Sequence, residues 1–262
     1  MLITINNMTL VNMINIKKSV TYVILALSAL FFASCQQDDT LYYNNMTMGN
    51  VVDGRFVSDQ GNVFNVVSQE CGANLSTEKR AMVMCDVLNE TAGAVDEYDV
   101  HLINYSTVLD KDAVALENAS EGEISVQDPI VIEQLWYSGG YLNMLIRFQI
   151  LPDSETKHLI NLVHSKDAEG KYILNLRHNA YDETYAKQPT GTMIFKGGGY
   201  VSFPIVKFVK EDQAKIVLKW NGYETTEGGY GYDFTKEKEY SYTYDWKRSG
   251  YEQAPNKTTQ LY

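Results

Sequence analysis

Four histidines, three cysteines and one run of alternating aromatics are the residues with which this 262-residue chain can do chemistry. His158 and His178 flank a segment that reads as a hairpin, so they are expected to meet across two strands. With Asp182 or Glu183 nearby, one reading is an imidazole–carboxylate set for a transition metal. The other is two polar residues at a sheet end, and no ligand spacing supports the metal independently, so no metal or cofactor is assigned. His158 and His164 lie about 20 Å apart along a strand and cannot share an ion; His101 is the fourth histidine. There is no Gly-x-Ser-x-Gly, no Walker loop and no His-Glu-x-x-His. Paired carboxylates such as Asp110/Asp112 and Glu237/Glu239 fall in charged stretches, where a solvated surface is the default. No catalytic residue is assigned, and a non-enzymatic role is expected.

The aromatics are the more suggestive set. Tyr240, Tyr242, Tyr244 and Trp246 occupy every second position, so in a strand they share a face. Tyr230, Tyr232 and Phe234 do the same before the polar stretch Thr235–Glu239, which reads as the turn of a hairpin with 234 opposite 240. Such a ladder is either a platform for sugar rings or a partner protein, or the inner face of a sheet.

Lys17 and Lys18 precede an apolar run from Val20 to Ala33 that ends in Phe32-Ala33-Ser34-Cys35. The run is shorter than the roughly 20 residues a membrane-spanning helix needs, and its flanks are those of a secretory signal. Small residues at −2 and −1 resemble a bacterial lipobox with Cys35 as the lipidated residue. Two or more acyl chains make such anchoring durable. Gln36-Gln37-Asp38-Asp39 follows; it resembles the surface-export signal of Bacteroidota lipoproteins, or serves as a solvated acidic spacer. In an oxidising envelope the remaining pair, Cys71 and Cys85, reads as a possible disulfide or as two buried thiols.

Charge and composition narrow the partners. The 22 Lys+Arg against 33 Asp+Glu leave a net charge of −11. That excess repels phosphate backbones and anionic head groups, so no nucleic acid is expected, and the only membrane contact expected is the lipid anchor. A hydrophobic content of 45% with 19 tyrosines and 5 prolines excludes wholesale disorder and favours an all-β chain.

The elements follow from alternation. Gly54–Val57 and Val63–Val67 flank the turn Ser58-Asp-Gln-Gly-Asn, and Met82–Leu88 and Tyr98–Leu109 add strands suited to a small barrel. The polar stretch from Glu117 to Glu123 marks a boundary. Beyond it come strands over Ile130–Tyr137 and Tyr141–Ile150, then His158–Ser165 and Tyr172–His178. Facing 158 with 178 puts Ile160, Leu162, Leu174 and Leu176 on one face. Met193–Lys196, Tyr200–Val209 and Lys215–Trp220 follow, with Pro204 suggesting an edge strand. The expected organisation is a signal peptide (1–34), a lipidated terminus and spacer (35–41), a small barrel (42–117), a β-sandwich (118–250) and a tail (251–262).

The block Asp128-Pro-Ile-Val-Ile-Glu-Gln-Leu-Trp-Tyr-Ser-Gly-Gly-Tyr-Leu-Asn-Met144, with His158-Leu-Ile-Asn-Leu, Leu174-Asn-Leu-Arg-His-Asn-Ala-Tyr181 and Ser58-Asp-Gln-Gly61, resembles the NigD-like lipoproteins of Bacteroidota. The resemblance covers nearly the whole chain after Cys35. It implies an N-terminal OB-type barrel, a C-terminal β-sandwich and a place in the cell envelope, expected at the outer membrane. The family label, bacteriocin immunity, derives from an operon association and brings no catalytic residue with it. Two classes of partner follow: a protein, or a glycan held by the C-terminal aromatic strand.

Metabolic labelling with a fatty acid should mark the wild-type chain and fail on Cys35→Ala; equal labelling of the two would remove the lipid anchor.

Overall fold

Period-two alternation dictates strands over most of the chain. The computed structural model describes residues 46–72, 74–184, 187–189, 195–225 and 232–245, all within one compact unit that starts at Tyr42. Cys35, Trp246 and the tail 251–262 lie outside the described residues.

Five strands close the first module: β1 (Thr47–Val52), β2 (Arg55–Ser58), β3 (Val63–Gln69), β4 (Arg80–Glu90) and β5 (Glu97–Asp110). They pair in the circular order β1-β2-β3-β5-β4, with β3 parallel to β5 and every other pair antiparallel. This is the OB-type barrel that the resemblance implied. Its interior is narrow. Phe56 and Phe64 stack at 5.8 Å between ring centroids, walled by Val83, Cys85, Val100 and Leu102.

β5 belongs to both modules. At its C-terminal end, Val108–Asp110 pairs in parallel with β11 (Phe195–Phe203), which continues into β8 (Tyr141–Ile150) and the edge strand β7 (Val131–Ser138). The opposing sheet runs β13-β12-β10-β9-β6, from β13 (Tyr232–Asp245) and β12 (Gln213–Thr225) through β10 (Tyr172–Asn179) and β9 (Leu159–Lys166) to the two-residue β6 (Val114–Ala115). Leu142, Met144, Ile146 and Phe203 of the first sheet bury against Leu162, Leu174, Leu176 and Leu218 of the second. Each such side chain contributes roughly 1.5–3 kcal/mol of transfer free energy. Among the described residues the only α-helix is one turn, α1 (Glu121–Ile124), whose Glu123 carboxylate accepts from the Ser120 amide and hydroxyl.

Three expectations are corrected. The β9–β10 register sets Ile160 opposite His178 and Leu162 opposite Leu176, two residues from the expected pairing. An even slip keeps every side chain on its face, so the inward set of leucines survives. Thr235–Glu239 is not a turn: β13 runs straight through it and pairs with β12 rather than folding back on itself. Lys and Glu at alternating positions suit a strand at a sheet edge, where charge discourages further pairing. Pro204 does not mark an edge. β11 is interior, and the proline follows the last strand residue, leading into a 3₁₀ turn at Ile205–Lys207.

Gly49 on β1 tests the closeness of the barrel walls. A Cβ there would sit 2.3 Å from the Val57 carbonyl oxygen and 2.6 Å from the Phe56 ring. Gly49→Ala is expected to lower unfolding free energy by about 1–3 kcal/mol in urea titration; an unchanged midpoint would show that the barrel is looser than described.

Candidate functional site

The most polar buried cluster lies where the barrel meets the sandwich. Arg80 opens β4 on the barrel, and its side chain is 0% exposed, against 1% for its partner Asp59 in the β2–β3 turn. The guanidinium donates all five of its N–H groups. Nη1 and Nη2 reach the two Asp59 oxygens at 2.8 and 2.7 Å. The remaining three reach Asn50 Oδ1, Asn143 Oδ1 and Ser202 Oγ, each at 3.0 Å. Asn50 and Asp59 belong to the barrel, whereas Asn143 on β8 and Ser202 on β11 belong to the sandwich.

The acceptors are themselves held. Ser138 donates to Asp59, Asn143 Nδ2 donates to Ser138 at 3.0 Å, and Ser202 donates to Asn143 Oδ1 at 2.6 Å. The Tyr141 ring lies 3.8 Å from the guanidinium carbon, a cation–π contact. Gly139 completes the enclosure: its φ is +56°, and a Cβ would sit 2.4 Å from Asp59 Oδ1. Five satisfied donors leave no N–H for an incoming anion, so this cluster is a clamp rather than an anion site. Asp59, Ser138, Gly139, Tyr141 and Asn143 all come from two of the four segments on which the family resemblance rests. Their clamping role becomes visible only once β4 brings Arg80 to them.

The histidine pair expected across β9 and β10 does form. His178 Nδ1 donates to the Pro129 carbonyl at 3.0 Å, which leaves Nε2 to accept from His158 Nδ1, also at 3.0 Å. His158 Nε2 faces Glu183 Oε2 at 3.4 Å, and Ser154 donates to the other Glu183 oxygen. Phe148 stacks on His158 at 4.6 Å between ring centroids and lies tilted against His178 at 5.0 Å.

Burial first, and then the neighbouring His158, push His178 down to about 4 against the pull of the Pro129 carbonyl. Burial raises the Glu183 carboxyl, but bonds from Ser154, Thr156 and the Leu151 amide outweigh it and hold it at about 2.

The metal reading fails on geometry. His178 and Glu183 approach opposite nitrogens of the His158 ring, so three donors do not converge on one point. Asp182 points outward and pairs with Lys187 at 3.2 Å. This chain of bonds ties the loops after β8 and β10 to the end of the sandwich.

The other sequence-singled residues have plain locations. Cys85 is buried and Cys71 half-buried; both are unbonded here and pack on the barrel core, with burial raising the Cys85 thiol to about 11. Tyr240, Tyr242 and Tyr244 do share a face, and it is the inner one. Tyr244 is 3% exposed, and the Tyr137 ring from the opposing sheet lies 4.7 Å from Tyr242 and 5.1 Å from Tyr244. The described rings therefore pack the sandwich edge instead of presenting a platform to solvent.

Comparison with known proteins agrees with this architecture. Residues 112–234 match the family described as NigD-like C-terminal beta sandwich domain. A candidate toxin-related protein from Parabacteroides distasonis is similar at 22% identity and TM-score 0.53, over 78% of this chain and 93% of its own. A NigD-like immunity protein from Bacteroides caccae is similar at 16% identity and TM-score 0.50, over 77% and 95%. A candidate lipoprotein from Bacteroides fragilis is similar at 15% identity and TM-score 0.51, over 75% and 94%. Identities this low establish the shared fold. No curated protein matches.

Two outcomes test the clusters. Arg80→Met strands a buried carboxylate and should cost about 3–5 kcal/mol in denaturant titration, with a large part recovered in Arg80→Met/Asp59→Leu; equal losses would show that the charge pair is not the cause. His178 is neutral when folded, so its contribution is complete above its ordinary value near 6.5 and is lost as pH falls towards 4. That loss should reach about 3 kcal/mol, and His178→Asn should flatten this part of the stability–pH curve; a wild-type curve without this fall would refute the burial argument.

Proposed function

The chain carries a NigD-like C-terminal β-sandwich domain, and from that premise we propose that it is an envelope-anchored lipoprotein with a non-enzymatic binding role, capturing a bacteriocin as an immunity protein does. The observation that carries this reading is the use made of the motif chemistry. Asp59, Ser138, Asn143 and Arg80 are spent on fastening barrel to sandwich, and every guanidinium donor is occupied within the clamp. The histidine chain is likewise capped at its two ends, by the Pro129 carbonyl and by Ser154. Neither cluster offers a reacting atom to a substrate, so what remains for function is the outer surface of a stiff two-module body.

A lipid on Cys35 supports the same role by holding that body at the membrane, where an incoming toxin would be met; the outer membrane is its proposed location. The similarity to an immunity protein and to a candidate lipoprotein adds support. Glycan binding by the 240–246 strand has less, because Tyr242 and Tyr244 face inward. We further propose that Cys71 and Cys85 form a disulfide when the envelope oxidises them, both lying against the same barrel core.

Expression of the full chain in a susceptible host should raise survival under bacteriocin challenge, and Cys35→Ala should lose most of that protection while folding normally. Unaltered sensitivity in cells displaying the wild-type chain would remove the immunity reading.

A further inference from the structure

The acidity of the chain is unevenly spread. Residues 46–110, the barrel, hold ten carboxylates against Arg55, Lys79 and Arg80, an excess of seven; residues 111–262 have an excess of only four. Arg80 and Asp59 cancel inside the clamp, so the barrel surface keeps the whole imbalance. Among the described residues, no Lys or Arg forms an ion pair with Asp86, Glu90 or Asp99.

Within this acidic surface two apolar side chains are turned outward by the backbone. β3 bulges between Val66 and Ser68, and β4 bulges between Val87 and Asn89. Val66 and Val87 both pair with Val100 on β5 and pack on the barrel core, whereas the extra residues, Val67 and Leu88, are 57% and 52% exposed. A bulge inserts one unpaired residue and re-aims it, so regular pairing would not have ejected either side chain. Val95, 86% exposed, stands on the turn of the same β4–β5 hairpin. Asp86, His101 and Ser68 form the adjoining cross-strand row, with Ser68 Oγ 2.7 Å from His101 Nδ1. The face lies about 26 Å along β5 from the sandwich junction at Val108, so the other module leaves it open.

We propose that this β4–β5–β3 face docks a cationic, amphipathic segment of a partner protein, with Val67 and Leu88 taking its apolar side chains and Asp86 and Asp99 its lysines and arginines. The inference deepens the binding role proposed above and rests on it. Val67 and Leu88 flank a single strand and are thus about 10 Å apart, near the spacing of residues seven apart on a helix. Charge complementarity selects the occupant: the barrel's excess attracts a basic polypeptide and repels nucleic acid and anionic lipid.

The probe is a fluorescent peptide in which Lys-Leu-Ala-Lys-Leu-Ala-Lys is repeated twice, with a glutamate-for-lysine version as control, read by polarisation against the full chain in uncharged detergent. The wild type should bind the cationic peptide saturably and more weakly as salt rises from about 50 to about 300 mM, and should ignore the control. Val67→Ser/Leu88→Ser, at exposed positions that leave the fold intact by circular dichroism, should bind about tenfold more weakly. Absence of wild-type binding overturns the proposal, as does unchanged affinity in the double variant, which would mean that only net charge is felt. In the challenge assay, full protection by the double variant would also overturn this surface while the immunity role stands; no protection by the wild type would remove that role instead.

Discussion

One buried guanidinium constrains the whole molecule. Arg80 sits with no solvent contact at the joint of two modules, and its charge is tolerable only because Asp59 meets it bidentately and three further acceptors complete its donors. Removing two charges from water costs several kcal/mol per ion, so the site stands or falls as a set. Two acceptors come from the sandwich and two from the barrel, and neither module alone can satisfy the arginine. The continuity of β5, which closes the barrel and then enters the sandwich sheet, gives the same coupling through the backbone.

That constraint explains why Asp59, Ser138 and Asn143 are held inside the protein, facing one another and Arg80. Chemistry-bearing residues that converge on a buried point usually signal catalysis, but here every N–H of the Arg80 guanidinium faces an acceptor within the protein. The histidine chain at the far end of β10 follows the same rule, with each ring nitrogen committed to a neighbour. The binding role proposed for this chain therefore rests on its exterior, where charge and exposed apolar side chains are offered to a partner.

Much of the fold was legible because alternation is a local signal. Tyr141–Ile150 was delimited from sequence, and the inward leucines of β9 and β10 were identified despite a register two residues off, since an even slip preserves faces. The stretch Lys236–Glu239 misled because polarity resembles a turn, whereas alternating charge on an edge strand has the same composition. Of the clusters, the histidine pair was visible through hairpin symmetry. The clamp was not: Arg80 lies 21 residues from Asp59 and 122 from Ser202 along the chain, and its local pattern is that of any strand residue. The bulges at Val67 and Leu88 were equally hidden, because an extra residue in a ladder is defined only by the strand opposite.

The most direct test of the clamp is differential scanning calorimetry of the chain beside its Asp59→Ala variant. Barrel and sandwich held as one body should unfold in a single transition whose calorimetric and van't Hoff enthalpies agree, and the variant should separate into two. A wild type that already melts in two independent steps, or a variant that keeps one unaltered transition, would contradict the account.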